Sequence, residues 1–428
     1  MAVSPFLTGP AATSARSPGD ATATLSAAAH TASRETMGAP RTVTYRGLRI
    51  PVPDGWRVHR LDRDPERCVR YDRRAIYLGS PGSQAGCPAH LVGAEDVLHV
   101  TPAASRGAER RRGAARASAR LARHTVRPAV DHQTRLTVPE AGVTINGRYG
   151  DGPEDLQRLI RSTSVEYPPP ADDIESYLPG WSDEEADPGW YPSEQSGGYP
   201  ERPWVKGKGF DTCAAPSLHA MRAWRPSFKV SNIYIGGAAR ACAQPNLTRS
   251  WVSSVRGMGY RLIPTYVGPQ APCARYRPRF TAGSAAREGR EAAVDAVRKA
   301  KALGIPRGKP IYYDMEYYWS ADSSCRKAVM TFLHNWTVKL KALRYVPGVY
   351  GSVSSVVRDL AHAKGIRRPT ALWFAHWDGK TALYGHPMIP DDLWRPHRRI
   401  KQYRGGHKET HGGVTINIDS NQVDGRVY

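Results

Sequence analysis

Residues 311–319 read Ile-Tyr-Tyr-Asp-Met-Glu-Tyr-Tyr-Trp, an aromatic, β-prone run that places two acids, Asp314 and Glu316, two positions apart. Successive side chains of an extended strand face opposite ways. The two carboxyls therefore leave one face roughly 7 Å apart along the backbone, with Tyr312 behind them on that face. Two acids in one pocket do not ionise independently: repulsion and aromatic burial raise one pKa while the other group stays charged. A proton donor beside an anion is the arrangement that cleaves glycosidic bonds. A D-x-E triplet alone also fits a solvated loop edge, so its approach matters. Residues 283–303 form an Ala-rich helical stretch and 304–310 a turn-rich Gly-Ile-Pro-Arg-Gly-Lys-Pro segment, giving the order helix, turn, strand, acids. In an α/β barrel, strand ends are where catalytic groups sit.

The same alternation extends in both directions. Short apolar strands are predicted at 209–212, 232–237, 261–268, 311–316, 346–352, 371–377, 399–403 and 414–419. Helices are predicted near 216–225, 246–258, 284–303, 323–343 and 353–364. Strands alternating with helices imply parallel pairing, and eight strands suggest closure. The expected fold class is α/β: a C-terminal (β/α)8-type TIM barrel with reduced helices over 208–428, plus a small N-terminal α+β domain.

That smaller domain is expected over 41–166, with β-prone pieces at 43–50, 68–71, 75–79 and 97–100 and a strand-then-helix signal at 143–147 and 153–160. Residues 103–125, rich in Ala and Arg, read as a solvated flexible linker in preference to a basic helix. Residues 1–40 are Ala/Ser/Thr-rich, a disordered leader or the remnant of an export signal ending near Ala15. Residues 167–207, with Tyr-Pro-Pro-Pro and acidic clusters, read as a linker.

The chain has 428 residues and a formal charge of +22, with eight arginines between Arg106 and Arg127. Such a chain is drawn to polyanions, and anionic wall polymers are expected to meet the basic N-terminal region. No P-loop, zinc-like Cys/His spacing or nucleic-acid module is present, so no specific nucleic acid is expected as partner. No segment has the length of a transmembrane span. Six cysteines without a C-x-x-C suit structural disulfides and a secreted, extracellular protein. The pairs taken are Cys68–Cys87, Cys213–Cys242 and Cys273–Cys325, with the connectivity of the last four open.

Over 208–428 the chain resembles the glycoside hydrolase family 25 lysozymes, and more closely the actinobacterial secreted domains of unknown function termed glycoside-hydrolase-like. The resemblance rests on an ordered set: Gly209-Phe210-Asp211, Asp314-Met315-Glu316, residues 348–352 (Gly-Val-Tyr-Gly-Ser), 372–375 (Leu-Trp-Phe-Ala), Gln402-Tyr403 and residues 418–421 (Ile-Asp-Ser-Asn). It implies that Glu316 is the general acid and that Asp211, Asp314 and Asp419 orient the acetamido group of the substrate or stabilise positive charge at the sugar. It also implies that the N-acetyl group can act as internal nucleophile. Two departures stand out: Thr212-Cys213 after the first strand, and residues 233–237 (Ile-Tyr-Ile-Gly-Gly), which lack the lysozymes' Arg.

Among the aromatics near strand ends, Tyr266, Tyr350, Trp377 and Tyr403, together with Gln402, are candidate substrate-binding residues, because ring faces stack on sugars. His407 and His411, in the Gly-rich stretch 405–413, read as polar loop residues rather than metal ligands, and no metal or other cofactor is called for. The expected substrate is an N-acetylated cell-wall polysaccharide such as peptidoglycan. The alternative is a non-catalytic wall-binding protein that keeps the barrel as a saccharide platform.

Overall fold

Thr42–Tyr45 (β1) and Leu48–Pro51 (β2) form a hairpin closed at Arg46 and Gly47, both at positive φ. Next come Arg57–Arg60 (β3), Ala75–Leu78 (β4), Val97–Pro102 (β5), the helix Ala114–Ala122 (α1), Gln133–Val138 (β6), Val143–Arg148 (β7), the helix Glu154–Ser162 (α2) and Ser164–Val165 (β8). These make a three-stranded sheet, β1-β2-β8, and a five-stranded sheet in the order β3-β4-β5-β7-β6. The computed structural model describes residues 41–103, 114–166 and 203–428. The expected leader at 1–40 and nearly all of the expected linker at 167–207 lie outside those residues.

Two expectations for this region change. Part of the Ala/Arg-rich stretch is helical, because Ala117 and Leu121, four apart, share one face and are fully buried in the small domain's core. The adjoining residues 104–113 lie outside the described set. Residues 68–71 are not a strand. They are held by the Cys68–Cys87 disulfide and by an isolated antiparallel bridge from Arg70 to Cys242.

The C-terminal half is built from Trp204–Asp211 (β9), Leu218–Trp224 (α3), Val230–Gly236 (β10), Arg249–Gly257 (α4), Arg261–Tyr266 (β11), Ala285–Ala302 (α5), Pro310–Met315 (β12), Ser323–Ala342 (α6) and Val346–Ser352 (β13). A π turn at Val353–Val357 then runs into Arg358–His362 (α7), followed by Ala371–Ala375 (β14), Arg399–His411 (β15) and Val414–Arg426 (β16). Helix starts follow local chemistry. Ser217, Thr248 and Asp322 each accept a backbone N–H of the first turn of α3, α4 and α6.

The eight strands close into a barrel in the order β10-β11-β12-β13-β14-β15-β16-β9. Strands β9 to β15 run parallel where they pair, as alternation with helices implied. The last strand departs from that pattern: β16 is antiparallel to both β15 and β9. The stretch expected as a Gly-rich loop is instead the end of a long β15–β16 hairpin, turned at Gly412 and Gly413, both at positive φ. His407 and His411 thus sit on a strand, and Glu409 between them bonds both, at 2.8 and 2.9 Å.

Strand parity sorts the core into two layers. Val230, Ile263, Tyr312, Tyr350, Trp373, Ile400 and Val423 fill the barrel interior, while Leu262, Tyr266, Tyr313 and Val349 face the helices. Trp336 of α6 anchors the outer layer against Tyr266 and Tyr313, and its Nε1 donates to the Gly348 carbonyl at 3.2 Å. The disulfides are Cys68–Cys87, Cys213–Cys242 and Cys273–Cys325, with Cα separations of 5.6, 5.8 and 5.9 Å.

The small domain packs on the barrel within one compact unit spanning Pro40–Tyr428. The buried guanidinium of Arg148 lies over the Tyr71 ring and donates to the carbonyls of Arg240 and Gly237, while Asp131 pairs with Lys299. No helix among the described residues is long and apolar enough to cross a membrane. Because Trp336 is fully buried and bonded, Trp336→Ala should cost about 3–5 kcal/mol of unfolding free energy, read as a lower denaturant midpoint.

Candidate active site

Strand ends deliver the acids. Asp211 closes β9 and stands opposite Asp419 of β16 in the ladder, Asp314 lies near the end of β12, and Glu316 follows just past it. Asp211, Asp314 and Asp419 are at most 1% exposed. Gln402 ties them to the aromatics. Its Nε2 donates to Asp211 Oδ2 at 2.9 Å and Asp419 Oδ2 at 3.1 Å, and its Oε1 accepts from Tyr350 Oη at 2.9 Å and Trp377 Nε1 at 2.8 Å. Asn421 Nδ2 donates to the other Asp211 oxygen. The Asp314–Glu316 backbone is clamped by Gln270, which donates to the Asp314 carbonyl at 2.9 Å and accepts from Glu316 N at 2.8 Å.

A fifth member comes from the other domain. His90 Nε2 lies 2.7 Å from Glu316 Oε1 and 3.9 Å from Asp314 Oδ2, while its Nδ1 is 2.7 Å from Tyr234 Oη. Sequence reasoning missed it. Residues 87–92 (Cys-Pro-Ala-His-Leu-Val) carry no catalytic pattern, and His90 stands 226 positions before Glu316. The only signal was a histidine three residues after a disulfide cysteine.

Burial and neighbouring charges divide the protons unevenly. Burial pushes Asp314 well above the usual carboxylate range, and the adjacent Glu316 charge pushes it further. As an anion Asp314 has no hydrogen bond to either oxygen; as an acid it gains one, to the Glu316 carboxylate. Burial also pushes Glu316 up, but the His90 imidazolium more than offsets this and holds it below its ordinary value. Burial disfavours the charge on His90, yet Glu316, Asp314 and Asp419 outweigh that and raise it well above 6.5. Asp419 is pushed up to about 9 by burial and then by Asp211. Beside the docked imidazole, burial and charge therefore favour the proton on Asp314 and the charge on Glu316, the reverse of the order expected from sequence.

The ligand atoms of His90, Asp314 and Glu316 lie within 4.8 Å of one another, as do those of His90, Asp211 and Asp419. That is close enough for a cation, but with Nε2 already bonded to Glu316 the imidazolium is itself the positive charge of the cluster.

Glu316 opens onto a cleft of about 710 Å³ whose walls include Tyr350, His376, Trp377, Tyr384 and Lys401. Trp377 is 63% exposed, a free ring face at the rim. Tyr350, Trp377 and Gln402 are thus gathered with the four acids. Tyr266 is not: it is fully buried on the helix side of β11, with its hydroxyl on Asp295 at 2.9 Å. Tyr403, next to Gln402, is also absent from the cleft walls.

Residues 222–423 match the family described as Rv2525c-like, glycoside hydrolase-like domain. No protein with a curated description matches the chain. Among solved structures, an uncharacterized protein of B. stearothermophilus shares 18% identity over 52% of this chain and 99% of its own, with a TM-score of 0.36. The Mycobacterium tuberculosis Tat-secreted protein Rv2525c, solved with L-tartrate, shares 19% over 50% and 93%, again with a TM-score of 0.36. The modular autolysin LytC from Streptococcus pneumoniae shares 12% over 50% and 46%, with a TM-score of 0.34.

Asp419 binds its proton more tightly folded, at about 9, than unfolded, at about 3.9. Its contribution to stability is complete below the unfolded value and is lost as pH rises through the folded one. Asp419→Asn removes that ionisation. Its thermal midpoint relative to the unsubstituted protein should climb between about pH 4 and about pH 9, whereas parallel curves would show an ordinary carboxyl.

Proposed function

We propose that the barrel hydrolyses an N-acetylated cell-wall polysaccharide such as peptidoglycan, with Glu316 as the proton donor. The observation that carries this reading is the gathering of Asp211, Asp314, Glu316 and Asp419 at one barrel mouth, beside a cleft with an open tryptophan face. The match of residues 222–423 to a glycoside hydrolase-like family supports it. Regular (β/α)8 ancestry, with the final strand reversed, belongs to the same reading.

The chemistry follows from the shared proton. Asp314 and Glu316 hold one proton between them, on Asp314 while the site is empty. An acetamido N–H placed against Asp314 favours its anion, so the proton passes to Glu316. Glu316 then protonates the glycosidic oxygen as the acetamido carbonyl oxygen bonds to the anomeric carbon and the leaving sugar departs. Water opens the resulting ring, giving its proton to the Glu316 carboxylate. Asp211 and Asp419, bridged by Gln402, fix the floor of the site, and Tyr350 and Trp377 supply ring faces for the sugar.

The protein is proposed to act outside the cell, where three disulfides persist, and the basic N-terminal segment would hold it on anionic wall polymers in a salt-sensitive way. Glu316→Gln keeps the shape and removes the acid. It should lower release of reducing ends from purified peptidoglycan by about 100-fold or more, with binding to the same wall retained. Equal rates in both proteins would remove Glu316 from the mechanism, and binding by both without product would make the barrel a saccharide platform.

A further inference from the structure

The segment that carries His90 is not a swinging flap. Cys87 is tied to Cys68, and Ala85 accepts from Asn417 N of β16 at 2.8 Å. On the other side Val92 bridges Arg240 antiparallel, Gly93 N donates to the Ala239 carbonyl at 2.9 Å, and Ala94 N donates to the Arg277 carbonyl at 2.8 Å. Barrel loops thus grip the segment both before and after the histidine. Between those anchors the imidazole sits against Tyr234 and Tyr350, with ring centroids 5.9 and 5.7 Å away, and both nitrogens are used.

His90 does not line the open cleft, whereas Glu316 does. The imidazole therefore approaches the glutamate without covering it. Its side chain is 18% exposed and that of Glu316 16%, so water screens their attraction weakly.

We infer that His90 is a positioning residue of the active site, contributed by the N-terminal domain: its Nε2 fixes the Glu316 carboxyl, and its positive charge decides which acid of the Asp314–Glu316 pair holds their common proton. The working unit is then both domains together, not the barrel alone. This rests on the hydrolase reading for its consequence and on geometry for its existence.

The groups facing the pair are Asp211 of β9, Tyr234 of β10, Asp314 of β12, Tyr350 of β13, Asp419 of β16 and, farther out, Arg275. Apart from His90 and Arg275, every one is acidic or neutral, so loss of the imidazolium leaves a cluster that holds protons more tightly. Both limbs of a bell-shaped rate profile must then move to higher pH, because each reports a proton of the same coupled pair.

Two measurements on the full chain test this. In proton–nitrogen NMR titrations, His90 should stay doubly protonated well past about pH 6.5, and Glu316→Gln should bring its midpoint down by about one unit or more. In peptidoglycan hydrolysis, His90→Gln, which keeps a hydrogen-bonding amide without charge, should shift both limbs upward by about one unit or more, in addition to the stability lost with the ion pair. A merely structural tie between domains would leave the profile in place, which would overturn the inference. So would a His90 that titrates normally in both proteins. If the unsubstituted protein releases no sugar ends at all, the hydrolase reading falls while the NMR titration still decides the role of His90.

Discussion

Four carboxyls buried at one end of a barrel cannot all carry the charge they would have in water. Desolvation and mutual repulsion favour protons on some of them, and a single imidazolium biases the charge of the Asp314–Glu316 pair toward the glutamate. Much of the surrounding structure serves that arrangement. Closure of the barrel through an antiparallel β16 sets Asp419 beside Asp211, Gln402 bridges the two, Gln270 holds the backbone of the Asp314–Glu316 pair, and an ordered segment of the small domain delivers His90.

The small domain is therefore more than an appendage. Its buried Arg148, the Asp131–Lys299 pair and the stitching around residues 85–94 join it to the barrel. Buried ion pairs add little net stability compared with apolar packing, but they are strict about geometry. An interface built this way registers one domain against the other, which is what a site drawing residues from both requires.

Local signals made much of the fold legible in advance. The D-x-E triplet, the helix-turn-strand rhythm and the cysteine spacing find all eight barrel strands, although β15 and β16 run eight and seven residues past their expected ends, and pair all six cysteines as found. What escaped was non-local or needed strand parity. Tyr266 was assigned to the substrate by nearness to a strand end. Alternation counted from inward-facing Ile263 puts Tyr266 on the outer face, where Asp295 takes its hydroxyl. The β15–β16 hairpin was hidden because residues 404–411 contain no apolar side chain to mark a buried face, and the reversal of β16 follows from that hairpin. His90 has no sequence neighbourhood that speaks of acids, since its meaning arises only when two domains meet. The charge order that His90 favours in the acid pair escaped for the same reason.

Neutron diffraction from crystals grown at neutral pH in deuterated solution reads the central charge assignment directly. Expected is deuterium on both ring nitrogens of His90 and on the Asp314 carboxyl, with none on Glu316. Deuterium on Glu316 beside a singly protonated His90 would contradict it.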